Sequence, residues 1–256
     1  MHFMNNLIHK IGVGTSSYGS IISKKSSLKI LNILSDHGLR YIDTAPSYGY
    51  GQSEKIISNL IKKDRESYFL STKFGIQPSN IKHFNILFPL FRKIYSIPGI
   101  KKKTNIITIP HQKTLTLEEV SRSINSSLIN LKTTYLDQIL IHNNAEYYLN
   151  NNMYIDFLNE LKHKEIIKKV GATTHELNSN LIDLLNKNIS CIDTLQIPYN
   201  LRWFKSKIPV NYFSIFSDTK PNENELINTL KLINGFYIIM FKNPQNIKSN
   251  LKIFLN

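Results

Sequence analysis

Apolar residues along this chain fall into short runs, separated by stretches in which they recur every three or four positions. Eight runs can be counted: 11–14 (IGVG), 40–43 (RYID), 68–73 (YFLSTK), 138–143 (QILIHN), 168–174 (KKVGATT), 194–200 (TLQIPYN), 211–216 (NYFSIF) and 236–241 (FYIIMF). Several are almost continuously apolar, as expected of parallel strands covered on both faces. The intervening spacing is helical. Residues 26–36 carry Leu28, Leu31, Ile33 and Leu34 on one side, and Gly38 follows as a natural stop. In 116–132, Thr116 and Glu119 form a capping box ahead of a stripe of Val120, Ile124, Leu128 and Leu131. Residues 154–165, 178–187, 223–234 and 246–254 read in the same way.

Strand and helix alternating eight times predict either a closed (β/α)8 barrel, the TIM-barrel architecture, or an open doubly wound sheet. No GxGxxG follows the first strand, which argues against a dinucleotide-binding open sheet. The polar residues with chemical potential stand at the C-terminal ends of strands, where barrels build their sites. The 256 residues match the roughly 250 of one barrel, and no composition break marks a second unit, so one domain over 1–256 is expected. Two places depart from the repeat. Residues 76–115 form a long connection after the third strand, with Pro78, Pro89, Pro98, Pro110, the apolar NILFPLF and the run Lys101–Lys103. Residues 201–210 are too few for a crossover helix.

Four strand-end residues carry the candidate chemistry: Asp43 closes RYID, Tyr48 follows in DTAPSYG, Lys73 closes YFLSTK and His142 lies in QILIHN. A carboxylate and an ammonium beside a phenol can lower its pKa until it gives and takes protons near neutrality. An imidazole can orient a carbonyl oxygen. This is equipment for reducing a C=O group, given a source of hydride.

Composition narrows the picture further. The single Cys191 rules out an internal disulfide and fits a reducing cytoplasm; MHFMNNLIHK does not read as a signal peptide, and no run approaches a membrane span. A cytoplasmic location is expected. The formal net charge of +14 comes from lysines scattered along the chain rather than aligned, which suits attraction of an anionic substrate or cofactor better than a nucleic-acid surface. The eight histidines show no paired metal-ligand spacing, and His175 beside Glu176 reads as a loop pair, so no metal is expected.

With GLRYIDTAPSYG (38–49) in view, the chain resembles the aldo-keto reductases, NAD(P)H-dependent (β/α)8 enzymes. The resemblance continues through STK, LINLKTTYLDQILIH, KKVGATT, QIPYN and KNPQNIKSNL, in order. It implies a catalytic tetrad of Asp43, Tyr48, Lys73 and His142. Tyr48 would protonate the carbonyl oxygen, Lys73 paired with Asp43 would support it, and His142 would orient the substrate; Tyr50 is a nearby decoy. The resemblance places the nicotinamide carboxamide against Thr173, Thr174 and Gln196, where Thr174 replaces the family's Asn and loses its amide fork. Phe213 would stack on the ring and Ser214 would approach the phosphates. Lys242, Asn243, Asn246 and Asn250 would take the adenosine end, Lys242 favouring NADPH, with NADH as the alternative. The implied substrate is an aldehyde, a ketone or a sugar-like carbonyl, or the matching alcohol. The net charge suits an anionic one, and a bulky one is expected because the segment after the last helix and the link after strand seven are short and leave the pocket open. Trp203 is a candidate pocket wall. The rival readings are a non-catalytic nicotinamide-binding barrel that senses redox state or regulates a partner, and a Schiff-base lysine at Lys73, which the neighbouring Asp43 disfavours.

Overall fold

A computed structural model describes residues 7–76, 114–142, 144–216 and 222–255. Its centre is a closed barrel of eight parallel strands in sequence order: β1 (Ile11–Gly14), β2 (Tyr41–Asp43), β3 (Phe69–Phe74), β4 (Leu136–His142), β5 (Ile167–Thr173), β6 (Thr194–Pro198), β7 (Val210–Phe213) and β8 (Tyr237–Ile239). The strands are almost wholly buried, which accounts for their unbroken apolar runs.

Helices α1 (Lys24–Asp36), α2 (Ser53–Ile61), α3 (Leu117–Leu131), α4 (Ala145–Leu149), α5 (Asn152–His163), α6 (Ser179–Lys187), α7 (Glu223–Leu232) and α8 (Ile247–Leu255) accompany the strands. The capping box forms as read: Thr116 Oγ1 accepts from the Glu119 amide at 3.2 Å, and Glu119 Oε2 accepts from the Thr116 amide at 2.9 Å. Just before it, the Leu115 amide donates to Tyr148 Oη (2.9 Å) and the Leu115 carbonyl accepts from the Tyr154 hydroxyl (2.7 Å), which pins the start of α3 to α4 and α5. Between β6 and β7 there is a single 3-10 turn, Tyr199–Leu201, and no crossover helix. Helices α2 and α4 are additions to those legible from spacing. Most of the long connection, residues 77–113, lies outside the described residues, as does 217–221 in the link after β7.

Register decides which side chains meet. Gly14 pairs with Asp43, Asp43 with Ser71, and Lys73 with Leu140. His142 pairs with Thr173, and Thr173 with Gln196. Side chains alternate along a strand, so Lys73 shares the barrel interior with Ser71 and Asp43, while Thr72 faces the helices. One layer below, Tyr41 Oη donates to Gln138 Oε1 (2.7 Å) and accepts from Asn211 Nδ2 (3.0 Å), forming a satisfied polar floor.

Candidate active site

The C-terminal ends of the strands surround a cavity of about 320 Å³. Asp43, Tyr48, Lys73 and His142 all line it. At its base, Lys73 Nζ donates to both carboxylate oxygens of Asp43 at 2.7 Å and to the Thr44 carbonyl at 2.9 Å. The pair is sealed from bulk water, with side-chain exposures of 1% and 3%. Burial alone pulls the Lys73 pKa down, but the charges of Asp43 and Tyr48 outweigh it and the net movement is upward, so Lys73 stays an ammonium.

Tyr48 sits above this pair, its ring centroid 4.9 Å from Lys73 Nζ and 6.1 Å from the His142 ring, which meets it edge-on. Its placement depends on a tight backbone. The Tyr48 amide donates to the Ala45 carbonyl at 3.0 Å. Gly49 and Tyr50 then both take positive φ, 57° and 55°. At Gly49 a Cβ would fall 1.8 Å from the Tyr18 carbonyl oxygen, so no larger residue fits. Tyr50 does not line the cavity.

The electrostatics correct one expectation from sequence. Burial is the largest influence on the Tyr48 phenol and raises its pKa; Lys73 lowers it and Asp43 raises it, and the net direction is upward. The resting phenol is therefore protonated, a donor rather than an acceptor near neutral pH. His142 moves the other way. Burial first, then the Lys73 and His175 charges, push its pKa down to about 3, leaving a neutral imidazole that can donate through one N–H.

On the opposite wall, Thr173, Gln196, Phe213, Ser214 and Lys242 also face the cavity. Gln196 Oε1 is buried without a hydrogen-bond partner among the described residues. Ser214 takes φ 55° as the chain leaves β7. Thr174 is not brought in: its hydroxyl donates to the Glu176 carbonyl at 2.7 Å and accepts from the Glu176 amide at 3.2 Å. Asn243 spends its Oδ1 on the Gln245 amide (2.9 Å), and Asn246 and Asn250 stand on the exposed surface near the start of α8, outside the cavity wall. Trp203 is 68% exposed and does not line the cavity. His175, read from sequence as a loop pair with Glu176, instead borders the cavity, edge-on to Phe213 at 5.0 Å. Its position two residues past the end of β5 was the available signal. Thr15, Ser16, Met240 and Phe216 are also on the walls, and nothing in the sequence singled them out as site residues. No group of three potential metal ligands occurs among the described residues.

The model of the aldo/keto reductase family matches residues 10–213, about four-fifths of the chain. The chain belongs to the aldo/keto reductase family. Relatives of this aldo/keto reductase include YhdN of Bacillus subtilis, 36% identical over 81 residues (29% of this chain, 24% of that protein), itself named an aldo-keto reductase. The NADH-specific methylglyoxal reductase of Escherichia coli is 26% identical over 202 residues, covering 73% of this chain and 56% of its own. The chain thus spans little more than half the length of these curated relatives at most. Among solved structures, the holo form of an aldo-keto reductase from Bacillus halodurans superposes with a TM-score of 0.67 at 16% identity, covering 95% of this chain and 86% of that one. An aldo-keto reductase from Klebsiella pneumoniae, solved in complex with NADPH, gives 0.65 at 17% identity, covering 96% and 85%. At such identities the likeness establishes the fold.

Proposed function

We propose that this aldo/keto reductase interconverts an aldehyde or ketone and the corresponding alcohol, with Tyr48 as the proton donor and a nicotinamide dinucleotide as cofactor. The observation that carries the reading is the buried Lys73–Asp43 pair beneath a protonated Tyr48, with His142 beside it on one cavity.

Each group has a part that follows from its state. Tyr48 gives its phenolic proton to the oxygen of the bound carbonyl. As charge builds on the phenolate, the Lys73 ammonium stabilises it without a rearrangement, since Asp43 and Thr44 already hold Nζ in place. Neutral His142 donates a hydrogen bond that orients the same oxygen. In the reverse direction Tyr48 takes the alcohol's proton, and its raised pKa makes that direction favour alkaline conditions.

The residues present fit the cofactor. Gln196 Oε1 offers a buried acceptor in want of a donor, as a carboxamide NH₂ would supply. Phe213 offers a ring face and Lys242 a positive charge for phosphate. When bound, the reduced nicotinamide supplies the hydride. Lys242 supports NADPH, as does the complex of the Klebsiella pneumoniae relative, while the NADH-specific Escherichia coli relative keeps NADH as the alternative. The substrate reading is a small carbonyl compound, with the net charge of +14 favouring an anionic one.

The test is a fluorescence titration of the protein with NADPH and NADH, alongside Gln196→Leu. The expected result is saturable binding with NADPH preferred, and affinity at least about fivefold weaker in Gln196→Leu, the lower end of the cost of leaving a polar group unpaired. Absence of binding by both dinucleotides refutes the reading. Tight binding with no turnover of any carbonyl favours the regulatory, non-catalytic barrel.

A further inference from the structure

A buried acid outside the cavity has no part in the scheme above. Glu54, on the first turn of α2, has no exposed surface, and burying a carboxyl group is costly unless its oxygens are partnered. Its Oε1 accepts from the hydroxyl of Thr72 at 2.8 Å, and its Oε2 from Asn130 Nδ2 at 3.2 Å. Thr72 is the residue before Lys73 on β3, facing outward where Lys73 faces inward. The residue before Glu54 reaches the same pair from the other side. Ser53 Oγ lies 3.1 Å from Thr44 Oγ1, and the Thr44 carbonyl is the third acceptor of the Lys73 ammonium. Ser53 also donates to Thr15 Oγ1 at 2.8 Å, which in turn donates to the Asp43 carbonyl at 2.9 Å. The start of α2 therefore grips the ends of β1, β2 and β3, with the Ser53 hydroxyl reaching Thr15 and Thr44 and the Glu54 carboxyl reaching Thr72. The turn that leads into α2 is the one that carries Tyr48.

We propose that Glu54 is a positioning residue for proton transfer: by locking the start of α2 to Thr72, it fixes where Tyr48 sits relative to Lys73. The inference rests on the reading of Tyr48 as proton donor. The turn between Tyr48 and α2 is tight, with Gly49, Tyr50 and Gly51 all at positive φ, and the Gln52 amide just before α2 donates back to the Gly49 carbonyl at 3.1 Å, so a shift at the start of α2 is passed to Tyr48. Electrostatics agree. Burial raises the Glu54 pKa, while Ser127, Thr72, Asn130 and the charge of Lys73 lower it, so Glu54 and Lys73 sense one another across β3.

The experiment compares Glu54→Gln, Glu54→Ala and Thr72→Val by three measurements: kcat, cofactor Kd, and the Tyr48 Cζ resonance in protein labelled with ¹³C-tyrosine, assigned with Tyr48→Phe. Glu54→Ala is expected to lower kcat about tenfold, as misplacement of a reacting group does, to leave cofactor Kd within about twofold, and to move the Tyr48 resonance. Thr72→Val, which cuts the same tether without touching charge, is expected to act in the same direction. Glu54→Gln retains an acceptor for Thr72 and is expected to recover most of kcat and the wild-type resonance. If Glu54→Ala does not fold, Thr72→Val decides. A Tyr48 resonance unmoved in the folded variants overturns the proposal, as does a kcat that falls only in step with cofactor affinity and Tm. Wild-type protein that turns over no carbonyl would refute the proposed function, and the resonance would still report whether Glu54 positions Tyr48.

Discussion

Replacing Lys73 by Met tests the electrostatic core of the site through stability alone. Lys73 and Asp43 are joined by two hydrogen bonds of 2.7 Å at 1% and 3% side-chain exposure, so water cannot take the place of the lost ammonium. Stranding one partner of a buried pair costs about 3–5 kcal/mol. For a chain of this size each kcal/mol moves Tm by about 2–4 °C, so the expected drop is about 6–20 °C. The loss must also depend on pH. Burial raises the Asp43 pKa and Lys73 is the main influence opposing it; without Lys73 the folded-state pKa rises further above the unfolded value of about 3.9. A group with a raised folded pKa binds more protons when folded, so its contribution is present at low pH and is lost as pH climbs through that raised value. Lys73→Met is therefore expected to be far less destabilised at pH about 5 than at pH about 8, by circular-dichroism melts against wild type. The double variant Asp43→Leu, Lys73→Met removes the stranded charge and is expected to recover part of the loss. An unchanged Tm at the higher pH, or a double variant as weak as the sum of the singles, refutes the reasoning.

Gly49→Ala forces a methyl to within 1.8 Å of the Tyr18 carbonyl, so the turn must shift and carry Tyr48 with it; kcat is expected to fall by about tenfold or more, read by steady-state kinetics with cofactor affinity measured in parallel. The His142 pKa is pushed down to about 3, so wild-type kcat/KM is expected to show no break from His142 between pH about 5 and 8. In the same pH window the His142 ring carbons are expected to keep neutral-imidazole NMR shifts; a titration near 6–7 would contradict the burial argument.

The strands and three of the four candidate residues were legible because barrel strands are continuous apolar runs and a polar residue closing such a run stands out. Asp43, Lys73 and His142 all follow that rule. The turn around Tyr48 was legible only as a motif, since the need for glycine at position 49 answers to the Tyr18 carbonyl, far from it along the chain. Helix α2 opens with polar residues that grip strand ends, so its first turn has no apolar stripe to announce it, and Glu54 looks like a surface residue until packing encloses it. Helix α4 has five residues, too few to establish a period. The direction of the Tyr48 shift also escaped the sequence. Charge partners can be guessed from spacing, but desolvation is a property of the assembled cavity, and here it wins. Thr174 shows the same limit: its hydroxyl could equally face the cavity or close a turn, and the amide of Glu176 captures it.

The measurement that bears most directly on the account is the consumption of NADPH with a panel of aldehydes, ketones and dicarbonyls, run on wild type and Tyr48→Phe at equal cofactor saturation. The account predicts turnover by wild type and a loss of about a hundredfold or more in Tyr48→Phe, the scale of a missing proton donor, with cofactor Kd unchanged within about twofold. Equal turnover by the two proteins would contradict it.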